Sequence, residues 1–363
     1  MAGILVENDS RGVWSDVPAQ PGAVEQLVGS IGRPVHAYLF VGPAGVGKEE
    51  AARAFASALL CKDGGCGICS DCIAVARGRH PDLVSPDRSG AAITVDQARA
   101  VAGISVRMPV QSSRMVIILP DFHLVDEAAP ALLKTLEEPP ATTVFIVLAD
   151  VVTPRLVTVA SRCVEVTFGA LGEKQIAEQL LKEGADADQA SMAATIANGR
   201  LDRARSALAD PAVFIRHELW HSMPSRLDSS GACIVKLVDE LTQSLDDALE
   251  VVVAQQEAAM SEFAQQSKIG HTSTTKADLT QKHRREIRAS RNEELRFGLS
   301  TLARAYRDRI VATDAFPVGM SGIGRSIMAV ELIGEATLSL ERNPNESLML
   351  QALLVRLSGI LGT

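Results

Sequence analysis

The sequence predicts an α/β unit built on a parallel sheet and followed by two all-helical units, and three observations carry that prediction. Short apolar runs alternate with helical stretches over residues 1 to about 166, strand patterns stop from Leu171 onward, and 363 residues exceed one ordinary domain. Hydrophobic residues make up 47% of the chain but aromatics only 4%, so the cores must be built from Ala, Leu, Val and Ile, which suits helices and parallel strands. The formal net charge of −8 excludes a generally basic nucleic-acid coat and leaves only local or shared DNA contact. No stretch approaches the apolar length of a membrane span, and Met1 to Ser10 has no basic segment followed by an apolar block, so a cytoplasmic location is expected.

The strand candidates are Tyr38 to Val41, Met115 to Leu119 and Val144 to Leu148, with weaker patterns at Leu83 to Val84 and Val164 to Thr167. Gly172 to Leu208 reads as a small helical unit, with Ile176, Leu180 and Leu181 on one face and Gly199 as a stop. Beyond roughly Pro211 the chain reads as almost wholly helical: Ile234, Leu237, Val238 and Leu241 recur at helical spacing, and so do Leu245, Leu249 and Val252. The patch Gly270 to Thr275 predicts a loop, Lys276 to Arg309 a charge-rich helix with a basic excess, and Asn343-Pro344-Asn345 a break between the last two helices. The resulting division is 1–166, 167–210 and 211–363.

Between the first strand and the helix bearing Ala51, Phe55 and Leu59 lies Gly42-Pro43-Ala44-Gly45-Val46-Gly47-Lys48. Such a glycine-rich strand-to-helix loop cradles phosphates with backbone N–H groups while its lysine reaches the terminal ones. The magnesium-binding hydroxyl expected next is absent, because Glu49 stands there. A nucleotide hydrolase also needs a strand ending in acidic residues, one for the metal and one to orient water. The strand Met115 to Leu119 instead runs into Pro120, leaving Asp121 alone.

Cys61, Cys66, Cys69 and Cys72 place four thiols within twelve residues, with Gly64, Gly65 and Gly67 leaving the backbone free to wrap. This spacing fits a closed tetrahedral zinc knuckle near 61–72, a scaffold with no open position for catalysis. Two further segments are ambiguous on their own: Leu132-Leu133-Lys134-Thr135-Leu136-Glu137-Glu138-Pro139-Pro140 reads as a helix closed by prolines, and Ser161-Arg162-Cys163 as punctuation before the last strand.

In that order, the glycine loop, the cysteine insertion, the Leu-Leu-Lys-Thr-Leu-Glu-Glu-Pro-Pro string and Ser161-Arg162-Cys163 resemble the AAA+ subunits of bacterial DNA polymerase III clamp loaders. His36-Ala37-Tyr38-Leu39-Phe40 and Thr94-Val95-Asp96-Gln97 support the likeness over about residues 13 to 210, and Arg342-Asn343-Pro344-Asn345 resembles the family's collar. The resemblance implies an AAA+ P-loop domain, a small helical lid domain and a C-terminal helical collar, with zinc on the four cysteines. It implies a hetero-pentamer with tau/gamma motor subunits and a delta subunit, acting on the sliding clamp and primed DNA as part of the DNA-directed DNA polymerase III holoenzyme. It also implies that Arg162 is an arginine finger donated in trans to a neighbouring motor.

The departures sort the chain with the family's delta-prime kind, a rigid stator. Glu49 and Pro120 remove metal ligands, Ala149-Asp150 stands where motors carry a polar sensor, and Asp202 stands where they carry a second sensor arginine, with Arg203 one position later. Hydrolysis in cis is therefore expected to be absent, since metal-assisted phosphoryl transfer needs these groups positioned together. The intact Gly42, Gly45, Gly47 and Lys48 leave ATP binding open. Two rival readings stand beside this one: a tau/gamma-like ATPase using Glu49 and Asp121 in an unusual metal site, and a nucleic-acid-binding module acting through 276–309.

Overall fold

Each predicted strand pattern forms a strand, and all five join one parallel sheet. The structure, a computed structural model, describes residues 12–86, 95–122, 132, 135–137, 140–154, 156–228, 230–266, 276–312, 320–342 and 344–361. The strands are β1 (Ala37–Val41), β2 (Leu83–Val84), β3 (Met115–Leu119), β4 (Thr143–Ala149) and β5 (Val164–Thr167), in the spatial order β2-β3-β4-β1-β5. The Gly270 to Thr275 patch and most of Ala131 to Pro140 lie outside the described residues.

Successive side chains of a strand point to opposite faces, and here both faces are buried. Tyr38, Phe40, Val116, Ile118, Val144, Ile146 and Leu148 pack with residues of α1 (Pro21–Ser30), α2 (Lys48–Leu60) and α3 (Ser70–Ala76). Ala37, Leu39, Ile117, Leu119, Phe145 and Val147 pack on the other face with α4 (Val95–Ser105), Leu132, Leu136 and α5 (Val157–Ala160). Continuous apolar strands are what a sheet covered on both sides requires.

The first compact unit runs from Met1 to Leu208 and also holds α6 (Glu173–Lys182) and α7 (Ala187–Ile196), with α8 (Leu201–Ala209) ending at its boundary. In α6, Ile176 and Leu180 are buried but Leu181 is 46% exposed, because five residues from Ile176 carry it off the apolar face.

The second unit, Ala209–Thr363, holds helices and no strand among its described residues: α9 (Ala212–His221), α10 (Met223–Arg226), α11 (Gly231–Gln266), α12 (Lys276–Ala312), α13 (Met320–Ser339) and α14 (Glu346–Leu361). Its core joins Trp220, Leu237, Leu241, Leu245, Leu299, Leu302, Tyr306, Ile333, Leu353 and Leu357. Gly298 lies in the middle of α12, where glycine normally weakens a helix. The Trp220 ring explains it, since a Cβ there would stand 2.1 Å from Cε2 of that ring.

Candidate phosphate loop, cysteine cluster and surface arginine

The parallel register decides what surrounds the glycine loop. Val41 pairs with Ala149, and the Gly42 N–H donates to the Ala149 carbonyl at 3.2 Å, so Asp150 emerges beside the start of the loop. Lys48, the first residue of α2, is buried. Its ammonium donates to the carbonyls of Gly42 and Pro43, the latter at 2.8 Å, and pairs with Asp150 Oδ1 at 2.7 Å. An ammonium has three donors, and this chain occupies all three. The lysine that should reach phosphate is thus committed internally.

A second carboxylate lies over the loop. Gly45 has φ +69, and a Cβ on it would stand 1.7 Å from Asp202 Oδ1, so glycine is required both by the backbone and by the close approach of Asp202. The Leu201 N–H donates to the Gly45 carbonyl at 2.8 Å, which fixes the start of α8 on the loop. Arg200 holds Asp202 through Nη2 to Oδ2 at 2.6 Å and Nε to Oδ1 at 3.2 Å. Burial opposes the Asp202 charge, but hydrogen bonding from Arg200 and the nearby charges of Arg200 and Arg203 outweigh it, keeping the carboxyl below its usual range. Two more ties surround the loop. Gln20 Nε2 donates to the Val46 carbonyl at 3.1 Å and the Gly169 carbonyl at 2.8 Å, and Arg205 joins Glu50 at 3.2 Å to Glu183 at 2.6 Å.

An incoming polyphosphate would therefore meet two carboxylates and a lysine already in use. Glu49 is exposed in the first turn of α2, and Pro120 offers no side-chain ligand at the end of β3. Asp150 and Asp202 are the residues that, on the resemblance alone, mark departures from a motor's sensors. Their contacts with the loop follow from strand order and from the α8 turn, neither of which a motif scan reveals.

Cys61 caps the end of α2 and Cys69 the start of α3, whose first turn holds Cys72; Cys66 lies in the intervening turn. The four Sγ atoms all lie within 4.8 Å of one another, with Cys61 3.8 Å from Cys66 and 3.6 Å from Cys69. Tetrahedral zinc with bonds of about 2.3 Å puts its sulfurs about 3.8 Å apart, so the donor set fits such an ion. Burial opposes ionisation of Cys61, but backbone N–H groups of Cys66, Gly65 and Asp63 outweigh it and bring the thiol down to about 6. Burial and the neighbouring sulfurs push Cys72 far up. Thiols this close share negative charge poorly unless a cation joins them.

Arg162 follows α5 and is 35% exposed. Its Nη1 donates to the Thr158 carbonyl at 2.7 Å and its Nη2 pairs with Glu137 Oε1 at 2.7 Å. The structure therefore joins the two segments that were ambiguous in sequence, the Leu132 to Pro140 string and Ser161-Arg162-Cys163. Burial pushes the thiol of the adjacent Cys163 up to about 12.

Among the described residues, no helix is long and apolar enough to cross a membrane. Residues 19–172 match a family model described as "DNA polymerase III, delta subunit". The chain is 37% identical over 150 residues to the DNA polymerase III subunit delta' of Pseudomonas aeruginosa, covering 39% of this chain and 46% of the relative. It is 33% identical over 194 residues to the subunit delta' of Bacillus subtilis, covering 51% of this chain and 58% of the relative. It is also 34% identical over 174 residues to the subunit tau of Escherichia coli, covering 46% of this chain and 27% of the relative. The alignments thus span between about a quarter and three-fifths of these relatives' own lengths.

Proposed function

We propose, on the premise that residues 19–172 belong to the delta-prime type of DNA polymerase III clamp-loader subunit, that the whole chain serves as a non-hydrolysing stator of a cytoplasmic clamp loader. Its partners would be tau/gamma motors and a delta subunit in a hetero-pentamer, with the sliding clamp and primed DNA reached through that assembly. The observation that carries this reading is the commitment of Lys48 to Asp150 and to the loop's own carbonyls.

Phosphoryl transfer needs the loop lysine, a metal and a positioned water together. Here Lys48 faces Asp150, Glu49 supplies no hydroxyl, and Pro120 supplies no carboxylate. Of the groups in the glycine loop, the backbone N–H donors are those left suited to phosphate. The Cys61, Cys66, Cys69 and Cys72 set would hold a structural zinc ion, fixing the fold of the α2–α3 insertion. Arg162 would be this chain's chemical contribution, presented to a neighbour's nucleotide.

The purified chain is expected to release no phosphate from magnesium-ATP, and a loader reconstituted without it is expected to load no clamps. In a nucleotide titration, Asp150→Ala is expected to bind ATP about tenfold more tightly than the unaltered chain, since Lys48 is then released toward phosphate. Magnesium-dependent hydrolysis by the isolated chain, abolished by Lys48→Ala, would establish the motor reading instead.

A further inference from the structure

Residues 284 to 288 of α12 carry three arginines that no acid compensates among the described residues. At about 100° per residue, Arg284, Arg285 and Arg288 share one face of the helix. That face is opposite the one meeting α11, where Gln256 Nε2 donates to Glu286 Oε2 at 3.0 Å and to the His283 carbonyl at 3.3 Å. All three arginines are exposed, and none is in an ion pair among the described residues.

The sequence explains why. The positions three and four residues away from each are Thr280, Gln281, Ile287, Ala289, Asn292 or another basic residue, never an acid. Arg284–Arg288, Arg285–Arg288 and Arg288–Arg291 are like-charge pairs at helical-neighbour spacing, and each destabilises the helix that carries it. An ordinary solvated helix face alternates charge and gains from it; this one repels itself within a chain of net charge −8.

Arg291 behaves differently. Its guanidinium bonds to Asp246 of α11 and Glu346 of α14, which anchors the stripe to the helical core and neutralises Glu346. Beside Arg288 an open groove of about 330 Å³ is lined by Asn292, Pro344, Asn345, Glu346 and Ser347. Its polar lining sets neutral hydrogen-bonding groups next to the arginines.

We propose that this face binds the phosphodiester backbone of nucleic acid, with Arg284, Arg285 and Arg288 pairing phosphates and Asn292, Asn345 and Ser347 hydrogen-bonding beside them. The arginines at 284 and 288 rise along the helix by about 6 Å, so they can meet separate phosphates of one strand. A protein partner would need apolar anchors at the centre of its footprint. Among the described residues of α12 no large hydrophobic side chain is exposed, and beside the groove's lining the exposed one is Leu348, next to Ser347 in α14. Backbone recognition of nucleic acid needs charge and hydrogen bonds, which are what the face offers. The proposal is separate from the stator reading and does not depend on Arg162.

The test is fluorescence anisotropy of labelled single-stranded and duplex DNA with the full chain, from about 50 to 200 mM salt. The unaltered chain is expected to bind with steep salt dependence. The triple variant Arg284→Gln, Arg285→Gln, Arg288→Gln is expected to lose at least about tenfold in affinity and to flatten the salt slope by about 2 to 3, the share of three phosphate contacts. A charge-matched variant, Arg99→Gln, Lys174→Gln, Lys236→Gln, should bind as the unaltered chain does. Removal of self-repulsion should leave the melting temperature of the triple variant equal or higher, which separates lost contact from lost fold. Absence of salt-dependent binding, equal loss in the charge-matched variant, or equal binding of poly-glutamate would each overturn the assignment, the last in favour of an acidic protein partner.

Discussion

In a reconstituted loader, Arg162→Ala is expected to slow the nucleotide site it faces by about 10³-fold, the usual scale for an arginine finger. Clamp loading should fall with it, while binding of the variant into the complex should not. The reason lies in the Arg162 surroundings. The Glu137 pair is at the surface, with 35% and 43% of the two side chains exposed, and such pairs contribute only about 0–1 kcal/mol. In the proposed assembly a neighbour's polyphosphate, with several charges, would outcompete a single screened carboxylate. If Arg162 is the proposed finger, Glu137 would orient the guanidinium without trapping it. Arg162→Lys should recover little, because a point charge lacks the planar fork that spans two phosphate oxygens. Glu137→Gln should change the rate only several-fold. Full ATPase and clamp loading by Arg162→Ala would remove the proposed finger.

Chelation of bound metal is expected to lower the melting temperature of the first unit by roughly 6–12 °C, corresponding to about 3 kcal/mol. Metal analysis of the purified chain should return one zinc per molecule, and Cys72→Ser should reproduce the loss without chelator. The cluster spans the end of α2 and the start of α3, so its release frees the turn between them. That turn is also docked on the N-terminal segment: the Val13 N–H donates to the Gly65 carbonyl at 3.2 Å. The sheet itself should persist, because its two apolar layers do not include the cluster. A chain containing no zinc, with a melt indifferent to chelator, would reduce the four cysteines to a set of close thiols.

Much of the first unit was legible in the sequence because its signals are local. Met115 to Leu119 and Val164 to Thr167 form strands over those same residues, and Cys61 to Cys72 announces a compact donor set through spacing alone. What escaped depends on which strands become neighbours. Asp150 follows β4, about a hundred residues from Lys48, and meets it only because β4 pairs with β1. Glu137 and Arg162 are likewise joined across the fold, and no pattern within either segment shows it. Leu181 illustrates the opposite failure: it shares apolar character with Ile176 and Leu180 but is one step too far round the helix to be buried.

The bond from the Leu201 N–H to the Gly45 carbonyl has a mechanical meaning. In a nucleotide-driven motor the cleft between the sheet and the small helical unit opens and shuts, and that compliance converts phosphate chemistry into movement. Here the same cleft is latched by a backbone bond, by Asp202 lying over Gly45, and by Arg205 spanning Glu50 and Glu183. In the proposed stator, these ties would let a force applied at one end of the unit reach the other with little internal bending. On the stator reading proposed above, a subunit tied across this cleft would transmit the work of its neighbours instead of adding work of its own.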